Sequence, residues 1–151
     1  MRLKGGVLNY LYLPGTLLAV VAFLAINGLA AWLGAVYLLL GLLFGWFLIS
    51  VYLSLVKTSQ ASLILFSALF QLSFLLFSFW LVVSNETLIA SGIVLGVNLF
   101  FIKELVFDYQ KRRTILKKKL FNNVEISDRL LLGYLVGFIF LVAFLTALVI
   151  F

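Results

Sequence analysis

Among the polar side chains inside long apolar runs, four could act together: Ser67, Gln71 and Ser78 in one run, and Asn98 in the next. Amides and hydroxyls in such surroundings do one of three things. They tie helices together, line a polar path, or hold the polar head of a lipid. Ser67, Gln71 and Ser78 recur at i, i+4 and i+11, which places them on one helix face, and Gln60 continues that face. Gln71 and Asn98 lie 14 and 13 residues from Asn85, so in a simple hairpin they reach the same depth and bond to each other. Such a bond between membrane helices contributes ~0.6–2 kcal/mol. The economical reading is interhelical glue; the alternative is a polar path. Ion and proton paths use an ionisable group inside the membrane. None of the five acids lies near the middle of an apolar run, which argues against a proton or sodium pump acting alone.

Other chemistry finds no residues to carry it. The chain has no Cys and no His. That removes disulfides, thiolates, the commonest general base and the commonest metal ligand. There is no phosphate loop, no H-E-x-x-H and no G-x-S-x-G. The serines have no histidine to activate them, and a Ser–Lys dyad is conceivable only for Ser54 with Lys57. The expectation is a protein that is not an enzyme, with no cofactor and no metal.

The second group of informative residues is glycine at i and i+4: Gly41 and Gly45, Gly92 and Gly96, Gly133 and Gly137. Each pair makes a flat strip that lets another backbone approach closely. Strips in three helices predict tight packing, within the chain or against a different subunit. The Gly133/Gly137 strip is the candidate for a partner, because it follows a long connector. Ala143 and Ala147 extend its small-residue spacing.

The elements that position these residues follow from composition. Of 151 residues, 66% are hydrophobic and 11% charged. A soluble domain is about half apolar and a quarter charged, so the natural solvent of this chain is lipid. Lys4 and Lys57 enclose 52 uncharged residues, Lys57 and Glu86 enclose 28, Glu86 and Lys103 enclose 16, and 22 follow Arg129. With ~20 apolar residues per crossing, this predicts an all-α integral membrane protein of five transmembrane helices. They fall near 8–27, 34–56, 60–83, 87–107 and 129–150, joined by a cytoplasmic basic connector over 108–128. The whole is a single polytopic domain, 1–151: two hairpins plus a C-terminal helix. Arg2 and Lys4 precede an apolar run with no A-x-A site after it, so the first segment reads as a retained helix. Asn27-Gly28 is the turn signal in the first run, and Pro14-Gly15 predicts a kink or a late regular start.

With the N-terminus in the cytoplasm, every Lys and Arg falls on the cytoplasmic side and the C-terminus lies outside. Four or six crossings break this pattern. Tyr10, Tyr12, Tyr52, Tyr109 and Tyr134 then mark the inner boundary, and Trp32, Tyr37 and Trp80 the outer one, while Trp46 lies near mid-helix. The pattern suits a prokaryotic cytoplasmic (inner) membrane.

Seven of the 11 basic residues fall between Lys103 and Lys119. If the fourth helix continues past the membrane, Asp108 neighbours Glu104 and Arg112 at i,i+4. Leu105, Tyr109, Leu116 and Leu120 then form an apolar stripe. Lys111, Arg112, Arg113, Lys117, Lys118 and Lys119 are the candidates for docking anionic lipid or an acidic partner, at ~1 kcal/mol per basic residue near an anionic surface. A short basic run is a weak nucleic-acid signal, and none is expected as a partner. Asn85 before Glu86, and Asn122 three residues before Glu125, read as helix starts.

Taken together, the residues predict a non-catalytic accessory or structural subunit of a multi-subunit membrane complex, docking other integral membrane subunits. The alternative is a small oligomeric transporter, channel or lipid-handling protein with a polar path near Ser67, Gln71 and Asn98.

Overall fold

The computed structural model describes residues 6–28, 32–55, 64–84, 87–121 and 126–150, with side chains from residue 17 onward. The described residues form six helices and no strand: α1 (Gly6–Asn27), α2 (Trp32–Leu55), α3 (Ala68–Ser84), α4 (Leu88–Lys111), α5 (Arg113–Phe121) and α6 (Asp128–Ile150). Among them α2, α4 and α6 are long and apolar enough to cross a membrane, and Leu17–Asn27 of α1 and all of α3 are shorter apolar stretches. The chain is an all-α protein with the composition and helix lengths of an integral membrane protein.

Helix ends follow local chemistry. Gly28 adopts φ +75° and donates its N–H to Leu24 O at 2.9 Å, closing α1 with a left-handed residue that glycine tolerates without strain. The Asn27-Gly28 turn therefore lies where its residues predict, and α1 runs on through Pro14 without interruption. Ser67 is not inside the third helix. Its Oγ accepts from Phe70 N–H at 3.2 Å and donates to Ile64 O at 2.7 Å, so it caps α3. The first four residues predicted for that helix, 60–63, lie outside the described residues, as do Arg2, Lys4, Lys57, Asn85, Glu86, Asn122 and Glu125. Ser127 caps α6 by accepting from Leu130 N–H at 3.3 Å.

The fourth helix does not continue as one extension. It breaks at Arg112, whose backbone (φ −146°, ψ 49°) leaves helical geometry while its N–H still bonds Asp108 O. A separate nine-residue helix, α5, follows. Leu116 and Leu120 of α5 are buried with Leu105 of α4, so the predicted apolar stripe faces the core from two helices instead of one.

Helix α4 is the centre of the bundle. Half of its apolar span is buried, against 28% for α2 and 22% for α6. Gly41 and Gly45 meet α4 in the same order as Gly92 and Gly96 meet α2, so these two helices run parallel. Phe66 reaches Phe101 and Ser78 reaches Asn98, so α3 runs antiparallel to α4. Gln71 meets Tyr134 and Phe79 meets Phe144, so α6 runs parallel to α3. Asn27 donates its Nδ2 to Ile150 O at 3.2 Å, which brings the last residues of α1 and α6 together. Phe101 is fully buried, with Phe66, Phe70 and Phe74 edge-on around it at 6.0–6.3 Å.

Candidate functional site

The six strip glycines divide into two sets. A Cβ placed on Gly41 would strike Ile89 O and lie 2.9 Å from the Gly92 Cα. One on Gly92 would lie 2.6 Å from Leu38 O and 3.0 Å from the Gly41 Cα. Gly45 faces Ile93 O and Gly96 faces Leu42 O just as tightly. These four residues seat α4 on α2, backbone against backbone. A Cβ on Gly133 or Gly137 would meet nothing among the described residues within 4 Å, and both residues lie exposed on α6. Phe140 and Phe144 continue that face outward and are 70% and 52% exposed.

The polar residues meet where α3, α4 and α6 converge. Asn98 donates its Nδ2 to Ser78 Oγ at 2.9 Å and to Val94 O at 2.8 Å. Ser78 in turn donates to Phe74 O at 2.8 Å. Gln71 Oε1 accepts from the Tyr134 hydroxyl at 2.8 Å. Gln71, Ser78 and Asn98 are all fully buried. Equal depth for Gln71 and Asn98 is therefore not what the structure shows. Asn98 is level with Ser78, two helical turns from Gln71, and the two amides serve different neighbours. Gln71 Nε2 and Asn98 Oδ1 have no hydrogen-bond partner among the described residues. Ser67, at the cap of α3, takes no part in this cluster. Tyr134 does, although its position suggests a boundary aromatic; the usable signal is that a buried tyrosine hydroxyl finds a partner. Its ring stacks on Phe138 at 6.1 Å and meets Phe121 of α5 edge-on at 5.9 Å.

The basic arm is partly spent on the fold. Lys119 of α5 pairs with Asp108 of α4 at 2.8 Å, and Asp108 is only 4% exposed. Asp108 thus pairs with Lys119 and not with Arg112 at i+4. Lys117 pairs with Asp128 at the start of α6 at 2.6 Å. Lys111 lies over the Phe107 ring at 4.8 Å, and Arg113 over Tyr109 at 4.6 Å, both on their own helix or its neighbour. Lys111, Arg112, Arg113 and Lys118 remain exposed, with Ile115 among them. Four cations and one apolar side chain are thus exposed within eight residues of sequence.

Comparison of the chain with protein-family models, with curated proteins and with solved structures finds no match.

Proposed function

We propose that the chain is a non-catalytic subunit of a multi-subunit membrane complex, docking a partner's transmembrane helix on the Gly133/Gly137 face of α6. The observation that carries this reading is the division of the glycines. Four are consumed where α2 meets α4, while two of the same spacing face outward. Glycine inside a helix costs roughly 0.5–1 kcal/mol relative to alanine, and nothing among the described residues recovers that cost at Gly133 or Gly137. A second backbone approaching the strip would recover it through close packing.

In the proposed arrangement α1, α2, α3, α4 and α6 each cross the bilayer, in a prokaryotic cytoplasmic membrane. The N-terminus and α5 face the cytoplasm and the C-terminus lies outside. The alternating helix directions support five crossings, and the one-sided distribution of basic residues supports the orientation. The exposed Lys111, Arg112, Arg113 and Lys118 would rest on anionic lipid.

The test is gentle detergent extraction followed by mass spectrometry of what co-purifies. Other integral membrane subunits should accompany the wild-type chain, and Gly133→Leu with Gly137→Leu should release them while the chain itself still folds. Undiminished association in the double variant would remove α6 from the docking role.

A further inference from the structure

Local sequence and tertiary structure disagree at Arg112. From Lys103 to Phe121 there is no Gly and no Pro, and most of the residues are good helix formers. Even so, α4 stops at Lys111 and α5 starts at Arg113. The interruption is small. Arg112 N–H still bonds Asp108 O at 2.7 Å, and Leu116 N–H bonds Arg112 O at 2.9 Å. A continuous helix would add the bonds from the N–H groups of Arg113, Thr114 and Ile115 to the carbonyls of Tyr109, Gln110 and Lys111. The Arg113 side chain already takes one of those carbonyls, its Nε donating to Tyr109 O at 3.1 Å.

We propose that α5 is a strap with two positions: docked on the bundle as described, and extended so that α4 and α5 form one helix. Asp108 is the latch that both positions share. Docked, it holds Lys119 at 2.8 Å and is only 4% exposed. Extended, Lys119 stands 11 residues away along one helix, about 16 Å, and is out of reach. Arg112, at i+4, then becomes the neighbour of opposite charge. The carboxylate has a cation in either position.

The docked position closes one end of the bundle. Lys119 Nζ lies 5.1 Å from the Phe66 ring beside the start of α3, and Lys117 reaches Asp128 at the start of α6. Phe121 meets the Tyr134 ring edge-on at 5.9 Å, and the Tyr134 hydroxyl bonds the buried Gln71. Release lifts Phe121 off Tyr134 and opens this end of the Gln71–Tyr134 pair. It also exposes Leu116 and Leu120, both buried when docked, so the docked position dominates in the free chain. The strap uses neither Gly133 nor Gly137 and stands whether or not the chain is a subunit.

The experiment measures one distance in the full chain, held in lipid nanodiscs. Ser84→Cys and Lys118→Cys place two spin labels at exposed positions of a chain that has no other cysteine. Docked, Lys118 lies near the start of α3 and Ser84 at its end, so the separation is about the length of this 17-residue helix, ~25 Å. Extended, Lys118 stands seven residues beyond Lys111, which adds about 10 Å. The double electron–electron resonance distribution of this pair should be dominated by the short distance. Lys119→Gln should raise a second, narrow peak about 10 Å longer. Leu116→Ser loosens the same contact from its apolar side and keeps the test decisive if Lys119→Gln fails to fold. Arg113→Pro separates release from extension, because proline is tolerated at the first residue of α5 but breaks the interior of a continuous helix. Added to Lys119→Gln, it should abolish the long peak. Distributions in Lys119→Gln and Leu116→Ser that match that of the labelled pair alone overturn the latch. A long peak that survives Arg113→Pro overturns the continuous helix.

Discussion

Asn98 of α4 gives its Nδ2 proton to the Ser78 hydroxyl of α3 at 2.9 Å, while Gln71, two turns along α3, accepts from Tyr134 of α6. Three helices are thereby tied by two separate bonds. The middle helix of the bundle is held to α3 at one depth, and α6 is held to α3 at another. Burial raises the stakes: a polar group left unmade at these positions costs about 1–3 kcal/mol.

The first prediction separates these pairs. A double-mutant cycle on Ser78→Ala and Asn98→Ala should return a coupling of ~0.6–2 kcal/mol, and so should one on Gln71→Leu and Tyr134→Phe. The cycle on Gln71 and Asn98 should return a coupling close to zero. Unfolding in detergent, followed by tryptophan fluorescence, supplies the free energies. A large Gln71–Asn98 coupling would mean that the two amides share a bond.

The second prediction concerns the glycines. Gly45→Ala and Gly96→Ala each push a methyl group into a backbone carbonyl of the facing helix, with no flexible side chain to yield. Each should destabilise by about 1–3 kcal/mol, the usual cost of overpacking. Gly133→Ala and Gly137→Ala meet open space and should stabilise the isolated chain slightly, through the higher helix propensity of alanine. Thermal unfolding of the four purified variants decides it: the two pairs should shift the midpoint in opposite directions.

How far the sequence discloses this arrangement depends on the element. The long spans are legible from sustained apolar composition, and Trp32–Leu55 and Asp128–Ile150 lie within a few residues of the stretches it marks, while Leu88–Lys111 runs eight residues past the first charge at Lys103. The turn at Gly28 is legible because only glycine takes φ +75° cheaply. The break at Arg112 is not, since neither Gly nor Pro marks it; it is driven by tertiary packing of Leu116 and Leu120 and by Lys119 reaching Asp108. The register of α3 on α4 escapes a count from Asn85, because that count assumes a symmetric hairpin. The Ser78–Asn98 bond instead centres the hairpin near residue 88.

The third prediction compares two ion pairs of α5. Asp108 is buried, and Lys119→Gln leaves its carboxylate without a cation, which should cost roughly 3 kcal/mol, the low end for breaking a buried pair. Asp128 is 61% exposed, and water takes over from Lys117 when that residue becomes Gln. Lys117→Gln should leave the unfolding midpoint unchanged. If both substitutions have the same small effect, the Asp108–Lys119 pair does not hold α5 against α4. The variant Lys119→Gln/Asp108→Asn should recover part of the loss, because an amide pair removes the stranded charge.

The fourth prediction tests the proposed topology, and the absence of cysteine makes it direct. Ser84 ends α3 at the end of the bundle opposite α5, and Lys118 lies exposed on α5. With an odd number of crossings between the termini and α5 in the cytoplasm, Ser84→Cys should react with a membrane-impermeant maleimide in intact cells. Lys118→Cys should react only after the membrane is opened. Neither position is in the packed core, so both variants should fold. Their reagent access then reports geometry alone. Labelling of both from the outside would place α3 and α5 on one side of the bilayer, which a bundle with Ser78 against Asn98 and Gln71 against Tyr134 cannot do while α3 spans it.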